Sequence, residues 1–455
     1  MREWLPWVRP PQLRRLHQGI IDLSPPRVLA LVFALLALVG ALLLKTPWAT
    51  HLPISWLDVL FTAMSAVTVT GLVVVDTGSS FTLFGQSVLL VLIQLGGLGF
   101  MTFAVLILQL LGGRIGLHQQ IILREALNHT SLGSLLELVK VLLVISLCME
   151  GVGMLVLATQ WIPEFGFWEG LYRSLFYAVS AFNNAGFSLE SDSLSAYVGN
   201  PVINLTITVL FITGGLGFAV LADLHQKRRF QQLSLHTKLM LTGTLILIPV
   251  SMLLILLLEW RNPATLAGLP DWGERLWAAW FQAATPRSAG FNTLDIQALH
   301  PATVALLTGL MFIGGGSSST AGGIKLTTFI VLILATRAVL RQQDEAVVFG
   351  RAIGPETVAR ALAITVISLM AVALATFLLT VTEPFPFQDI LFEVMSGFAT
   401  VGLSRGLAPE LSEIGKGVIL VCMFVGRLGP LTLAFILTAR GKSRVQYSRG
   451  EIYIG

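Results

Sequence analysis

Four stretches of this chain repeat one spacing of residue types. Phe61, Ser65 and Gly71 set it first, and Phe176, Ser180 and Gly186, then Trp280, Ala284 and Gly290, then Phe392, Ser396 and Gly402 repeat it. Each places an aromatic residue, a small residue four positions on and a glycine six further. The glycines end the segments VTVTGL, FNNAGF, TPRSAGF and FATVGL and lie 115, 104 and 112 residues apart. A strand whose successive carbonyls face one axis needs a positive φ somewhere, which glycine reaches freely. Carbonyl oxygens on such an axis can replace the hydration shell of a dehydrated cation. A short helix running into a glycine turn, four times over, is what a four-part ion pore needs.

The elements that would position these turns are membrane helices. Hydrophobic residues make up 55% of the chain and charged residues 12%, with a mean hydropathy of +0.80, which excludes a water-soluble surface. Eight apolar runs approach or exceed the ~20 residues that cross a bilayer: 28–46, 82–111, 135–160, 202–222, 238–259, 301–336 (interrupted), 358–381 and 414–439. Between them, residues 56–70, 168–185, 272–289 and 387–401 are too short and broken to span. They read as re-entrant half-helices returning to the outer face as extended strands, since irregular backbone at membrane depth must be buried or line water. With the N-terminus inside, 20 of the 29 Lys and Arg lie on the cytoplasmic side and 15 of the 25 acids outside. Lysine and arginine set orientation, and acids at the outer mouth would concentrate cations. The first 27 residues carry five arginines, and no small-residue cleavage site follows, so no cleavable signal peptide is expected. Cys148 and Cys422 fall in apolar runs and read as core residues without disulfide or metal chemistry.

A second glycine pattern follows each turn: GGLGF at 96–100 and 214–218, GGGSS at 314–318 and GRLGP at 426–430. Taken alone, such glycines are ordinary helix packing in lipid. Their return in all four units points to a shared helix–half-helix–helix module. In the third unit, residues 314–323 hold five glycines, three serines, a threonine and an alanine and would break a crossing helix. The fold class expected is therefore an all-α polytopic membrane protein, with eight spanning helices and four re-entrant pore helices arranged pseudo-fourfold around one pore.

SAFNNAGF, the serine–glycine loop before Lys325, TVGL and GRLGPLT, in this order, resemble the Trk/Ktr/HKT superfamily of potassium transporters. The sequence is most similar to the KtrB group, membrane subunits of bacterial Ktr uptake systems, from about Arg27 to Gly455. The resemblance implies a selectivity filter lined by Thr68, Val69, Thr70 and Gly71; Asn183, Asn184, Ala185 and Gly186; Arg287, Ser288, Ala289 and Gly290; and Ala399, Thr400, Val401 and Gly402. Potassium would meet the carbonyls of Val69, Thr70, Asn184, Ala185, Ser288, Ala289, Thr400 and Val401. In that family a serine for the first filter glycine accompanies sodium permeation; here all four positions are glycine. The matching loop acts there as a gate, which assigns that role to Gly314, Gly315, Gly316, Ser317, Ser318, Ser319, Thr320, Ala321, Gly322 and Gly323, with Lys325 and Arg427 beside them. Arg427 would contact the loop carbonyls and resist cation passage; Lys325 could instead snorkel to water. Arg287 would brace the third filter segment through carbonyls. Glu150, inside an apolar helix, is either an ion or proton site or a buried acid satisfied by neighbours.

The resemblance further implies potassium uptake, sodium dependence, a homodimer and a cytoplasmic nucleotide-binding regulatory ring of the KtrA type. The ring would dock on Lys227–Arg229, Arg337–Arg351 and the tail from Arg440, although these basic stretches are equally topology determinants. No nucleotide or nucleic acid is expected to bind this chain. Its units would be an arm 1–27, repeats 28–111, 135–224, 238–341 and 358–440, and a tail 441–455, with both termini in the cytoplasm of a bacterium. An enzyme is disfavoured: the glycine-rich loop lacks the G-K-[ST] of a phosphate loop, and no HExxH occurs. A secondary symporter with strict K+/Na+ or K+/H+ coupling is the nearer rival, but the four half-helices all enter from one face.

Overall fold

The computed structural model describes residues 25–110, 135–227, 229–317 and 319–429. Residues 1–24 of the expected arm 1–27, Arg228, Ser318 and the tail from Arg440 lie outside them. The chain opens with α1 (Pro25–Leu44), the short α2 (Trp56–Thr68) and α3 (Leu83–Leu110). A second set follows as α4 (Leu135–Phe165), α5 (Phe167–Phe182) and α6 (Pro201–Leu216), the last bending 94° at Gly217 into α7 (Phe218–Gln226). The third set is α8 (Leu235–Glu259), α9 (Trp272–Ala284), α10 (Pro301–Phe312) and α11 (Leu326–Leu340). After a small antiparallel hairpin, β1 (Ala346–Val348) and β2 (Arg351–Ile353), come α12 (Pro355–Thr382), α13 (Phe387–Phe398) and α14 (Glu413–Leu428).

Each of the eight apolar runs contains helix. Among the described residues, Arg27–Leu44, Leu143–Phe165, Leu235–Glu259 and Pro355–Thr382 are unbroken stretches long and apolar enough to cross a membrane. The bent pair α6 and α7 makes a fifth candidate. These helices present leucines such as Leu42, Leu155, Leu257 and Leu374 outward, the pattern of a surface solvated by lipid rather than water. Cys148 belongs to that outward surface, against expectation, while Cys422 is buried. On an apolar helix both faces carry similar residues, so the sequence did not reveal which one Cys148 occupies.

The helix starts are written locally. Ser55, Asn200, Ser234 and Ser412 each accept a backbone N–H of the first turn of α2, α6, α8 and α14, which satisfies one of the otherwise unpaired helix donors. The core runs through the short helices. Phe61, Phe176, Phe281 and Phe392, one from each, are fully buried. In the third unit Phe281 thus takes the inward place expected of Trp280, which is only partly buried. One residue fewer separates the buried phenylalanine from the glycine there, so the register of the repeat slips by one.

Candidate functional site

The four short helices share a start and an end. Trp56, Phe167, Trp272 and Phe387 begin them and are exposed; two positions on come Asp58, Glu169, Glu274 and Asp389. Exposed aromatics favour a membrane–water interface, and an acid in the first turn complements the positive helix N-terminus. This aromatic-x-acid signal stood in the sequence and was not used there. At the other end, the chain turns sharply beneath the core phenylalanines. Thr70 N–H, Ala185 N–H and Val401 N–H donate to the carbonyls of Ser65, Ser180 and Ser396 at 2.8, 2.8 and 2.9 Å. The third segment closes one residue tighter, from Ala289 N–H to Thr285 O at 3.0 Å.

The hydroxyls of the repeat then pin the returning strand. Ser65 Oγ and Ser396 Oγ accept from Gly71 N–H and Gly402 N–H, both at 3.1 Å, and Ser180 Oγ donates to Phe187 O at 2.8 Å. Ala284 cannot do this. Thr285 does it instead, donating to Phe291 O at 2.5 Å, the same one-residue slip seen at Phe281.

Two residues in each segment are left-handed. The glycines Gly71, Gly186, Gly290 and Gly402 have φ of 86, 67, 79 and 92°. Two positions earlier, Val69, Asn184, Ser288 and Thr400 have φ of 56, 58, 75 and 48°. For β-branched Val69 and Thr400 this conformation is strained, at roughly 1–3 kcal/mol each. The same left-handed conformation recurs at the same offset in all four segments.

The segments also meet one another in a closed ring. A Cβ added to Gly71 would lie 2.4 Å from Ala185 O, one on Gly186 3.1 Å from Ala289 O, one on Gly290 2.4 Å from Val401 O, and one on Gly402 2.3 Å from Thr70 O. Each glycine therefore faces the carbonyl just before the next glycine, in chain order, and the fourth returns to the first. Glycine is needed both for φ and for this approach.

Below the ring the second set of glycines finds its use. Cβ atoms at Gly96, Gly214 and Gly426 would fall 2.0, 1.9 and 1.7 Å from Val67 O, Phe182 O and Phe398 O. These are the carbonyls four residues before three of the filter glycines. In the third unit no helix glycine plays this part. Residues 314–323 form a loop pinned at its base by Gly314 N–H to Ile324 O at 2.8 Å and by Leu326 N–H to Gly315 O at 3.0 Å. It docks on the second unit through Gly316 N–H to Gly215 O at 2.8 Å. Near its far end it touches the ring: Gly322 N–H donates to Ser288 Oγ at 3.1 Å, and that hydroxyl donates to Thr400 O at 2.7 Å.

Two cations hold the same loop. Arg427 is buried and donates to Thr320 O, Gly96 O and Gly97 O, the Gly96 contact being 2.6 Å. Lys325 Nζ does not snorkel; it turns back to Ala321 O at 2.6 Å. Arg287, expected to brace carbonyls, is buried with Nε unpartnered and donates to no filter carbonyl among the described residues. Glu150 is satisfied by the amides of Gln94 and Asn183. Lys227, in a candidate docking stretch, is paired with Asp223 at 2.8 Å.

The family description "Cation transport protein" (TrkH) matches residues 32–443. The Ktr system potassium uptake protein B of Bacillus subtilis is 52% identical over 435 residues, 96% of this chain and 98% of that protein. Its namesake in Vibrio alginolyticus is 43% identical over 94% of this chain and 95% of its own. The potassium/sodium uptake protein NtpJ of Enterococcus hirae is 38% identical over 95% and 98%. In fold, the chain is similar to the crystal structure of the potassium transporter TrkH from Vibrio parahaemolyticus, with a TM-score of 0.72 at 20% identity, covering 96% of this chain and 87% of that one. These relatives are transporters, not enzymes. The chain belongs to the TrkH family of cation transport proteins, in the Trk/Ktr/HKT superfamily.

Proposed function

We propose that this chain takes up potassium across the cytoplasmic membrane of a bacterium through a K+-selective, channel-like pore at the centre of its four repeats. The observation that carries the reading is the alternation of two left-handed residues in each segment, four times, with the glycines in a closed ring. Such a backbone turns the carbonyls at Val69, Thr70, Asn184, Ala185, Ser288, Ala289, Thr400 and Val401 toward one axis, where they stand in for the water around a potassium ion. The short helices end at this axis, and their partially negative C-termini favour a cation there. α2, α5, α9 and α13 are the re-entrant pore helices of repeats 28–111, 135–224, 238–341 and 358–440.

The loop 314–323 is the gate, held shut by Arg427 and Lys325. Its high glycine content leaves little apolar surface to bury, and its bond to the filter at Gly322 is easily exchanged for water. The names of the relatives support potassium as cargo and, for one of them, sodium as well. The words "Ktr system" support a partner, which we assign to a cytoplasmic nucleotide-binding ring on the basic inner loops, with the chain as a homodimer and both termini inside.

Potassium and sodium flux into proteoliposomes, wild type beside Gly71→Ser, tests the pore. Potassium-selective flux in the wild type and lost selectivity in Gly71→Ser are expected, because a serine Cβ would strike Ala185 O. Selectivity indifferent to this change would sink the filter assignment. A fixed ratio of K+ to co-transported ion, independent of the gradient, would favour the coupled symporter.

A further inference from the structure

Behind the second filter segment lies a buried carboxylate that ion passage as described does not use. Glu150 sits in the middle of α4, almost wholly buried, where an acid is costly unless its oxygens are satisfied. Gln94 Nε2 donates to both of its oxygens, at 3.0 and 3.2 Å, and Asn183 Nδ2 donates to Oε1 at 3.2 Å. The same Asn183 nitrogen donates to Gln94 Oε1 at 2.7 Å and to Val179 O at 2.9 Å. A triangle is thereby closed between α3, α4 and the end of α5.

Asn183 is the hinge of its segment. It caps α5, and the next residue, Asn184, is left-handed with φ of 58°. Rotation at Asn183 would swing the carbonyls of Asn184 and Ala185. The corresponding positions of the other segments are Thr68, Arg287 and Ala399. Thr68 bonds only within its own segment, to Met64 O and Thr70 Oγ1 among others, and Ala399 has no polar side chain. Among the described residues, only the second segment is tied to a carboxylate on an outer helix. An amide can flip and exchange donor for acceptor, but a carboxylate accepting at both oxygens leaves its two amide partners one orientation.

We infer that Glu150 is a positioning residue for discrimination between K+ and Na+. Through the Asn183 amide it fixes the Asn184 and Ala185 carbonyls at the spacing the larger ion requires; released, they close on the smaller one. The inference rests on the filter reading above.

The test is the Na+:K+ flux ratio in proteoliposomes for wild type, Glu150→Ala, Glu150→Gln, Gln94→Leu and Gly71→Ser, each with its thermal midpoint in detergent. Glu150→Ala is expected to raise the ratio about tenfold, or about 1.4 kcal/mol of discrimination, with K+ flux retained. Glu150→Gln, which can still accept one amide, raises it less, and Gln94→Leu falls between. A wild-type ratio in folded Glu150→Ala and Gln94→Leu overturns the inference, whatever their thermal midpoints. If Glu150→Ala does not fold, the ratios of Glu150→Gln and Gln94→Leu decide in the same way. If Gly71→Ser also keeps the wild-type ratio, it is the filter reading that has failed.

Discussion

Around the ring of glycines the four segments copy one another's backbone, whereas just below them the third departs from the other three. Above, every segment has a left-handed residue two positions before a left-handed glycine. Below, α3, α6 and α14 each fit a glycine against the carbonyl at the end of their own short helix, while α10 and α11 are parted by a loop whose glycines pack on that loop, on the second unit and, at Gly322, on Ala399 and Thr400 of the fourth. An ion on an axis meets all four sectors at once, so discrimination favours equal carbonyls from each. A gate needs only one sector to move. The difference between the two levels is what a pore with a fourfold filter and a single movable part would have.

The largest expected effect contrasts a packed inner glycine with an outward-facing one. Gly426→Ala would place a Cβ 1.7 Å from Phe398 O, a backbone atom that cannot swing aside. We expect a loss of about 2–3 kcal/mol, as for other overpacked sites, read as a lower thermal midpoint in detergent. Gly309, in α10, has nothing within 4 Å of such a Cβ. Gly309→Ala should stabilise the helix by about 0.5–1 kcal/mol. Equal destabilisation by both would show that the close approach to Phe398 O is not what position 426 depends on.

A smaller effect is expected where the two levels touch. Ser288→Ala removes the hydroxyl that joins loop residue Gly322 to the filter carbonyl of Thr400. A net hydrogen bond contributes about 1 kcal/mol, so the open population of the loop, and with it resting K+ flux, should rise about fivefold. Ser288→Thr, which keeps a hydroxyl, should lie nearer the wild type. Resting flux unaltered in Ser288→Ala would show that the Ser288 hydroxyl does not hold the loop.

Much of this was legible in the sequence, and the misses have physical reasons. The four turn glycines, the short helices and the serine–glycine loop were visible because glycine and helix periodicity are local signals. The left-handed Val69 and Thr400 were not, since β-branched residues prefer extended backbone and only the surrounding sectors force them out of it. The third repeat was read one residue out of register, at Trp280 and Ala284, because Phe281 and Thr285 match the pattern only if a shorter turn is allowed. The partners of Glu150 stand 56 and 33 residues away, and no local spacing points to them. Arg427 was expected to touch the loop and does so at Thr320, but its bonds to Gly96 and Gly97 depend on a ring closure that the linear pattern does not contain.

The smallest effect should come from the outer rim, where that ring is closed by charge. Lys416 Nζ on α14 lies 2.6 Å from Asp58 Oδ1 on α2, joining the last unit to the first. Their side chains are 14% and 19% exposed, so the pair is partly screened by water and worth no more than about 1 kcal/mol. Asp58 would not be stranded by Lys416→Ala, because Ser55 Oγ still donates to its carboxylate at 2.8 Å. The expected outcome is therefore a small drop in thermal midpoint with the Na+:K+ flux ratio kept. Asp389 makes the same contact within its own unit, to Arg405 Nε at 2.6 Å, but Arg405 also donates to Ile296 O of the third unit. Arg405→Ala should for that reason cost more stability than Lys416→Ala, again without a change of ratio. Loss of discrimination in either variant, on the scale expected of Gly71→Ser, would mean that rim and filter are one mechanical unit and that fourfold carbonyl geometry depends on the charges above it.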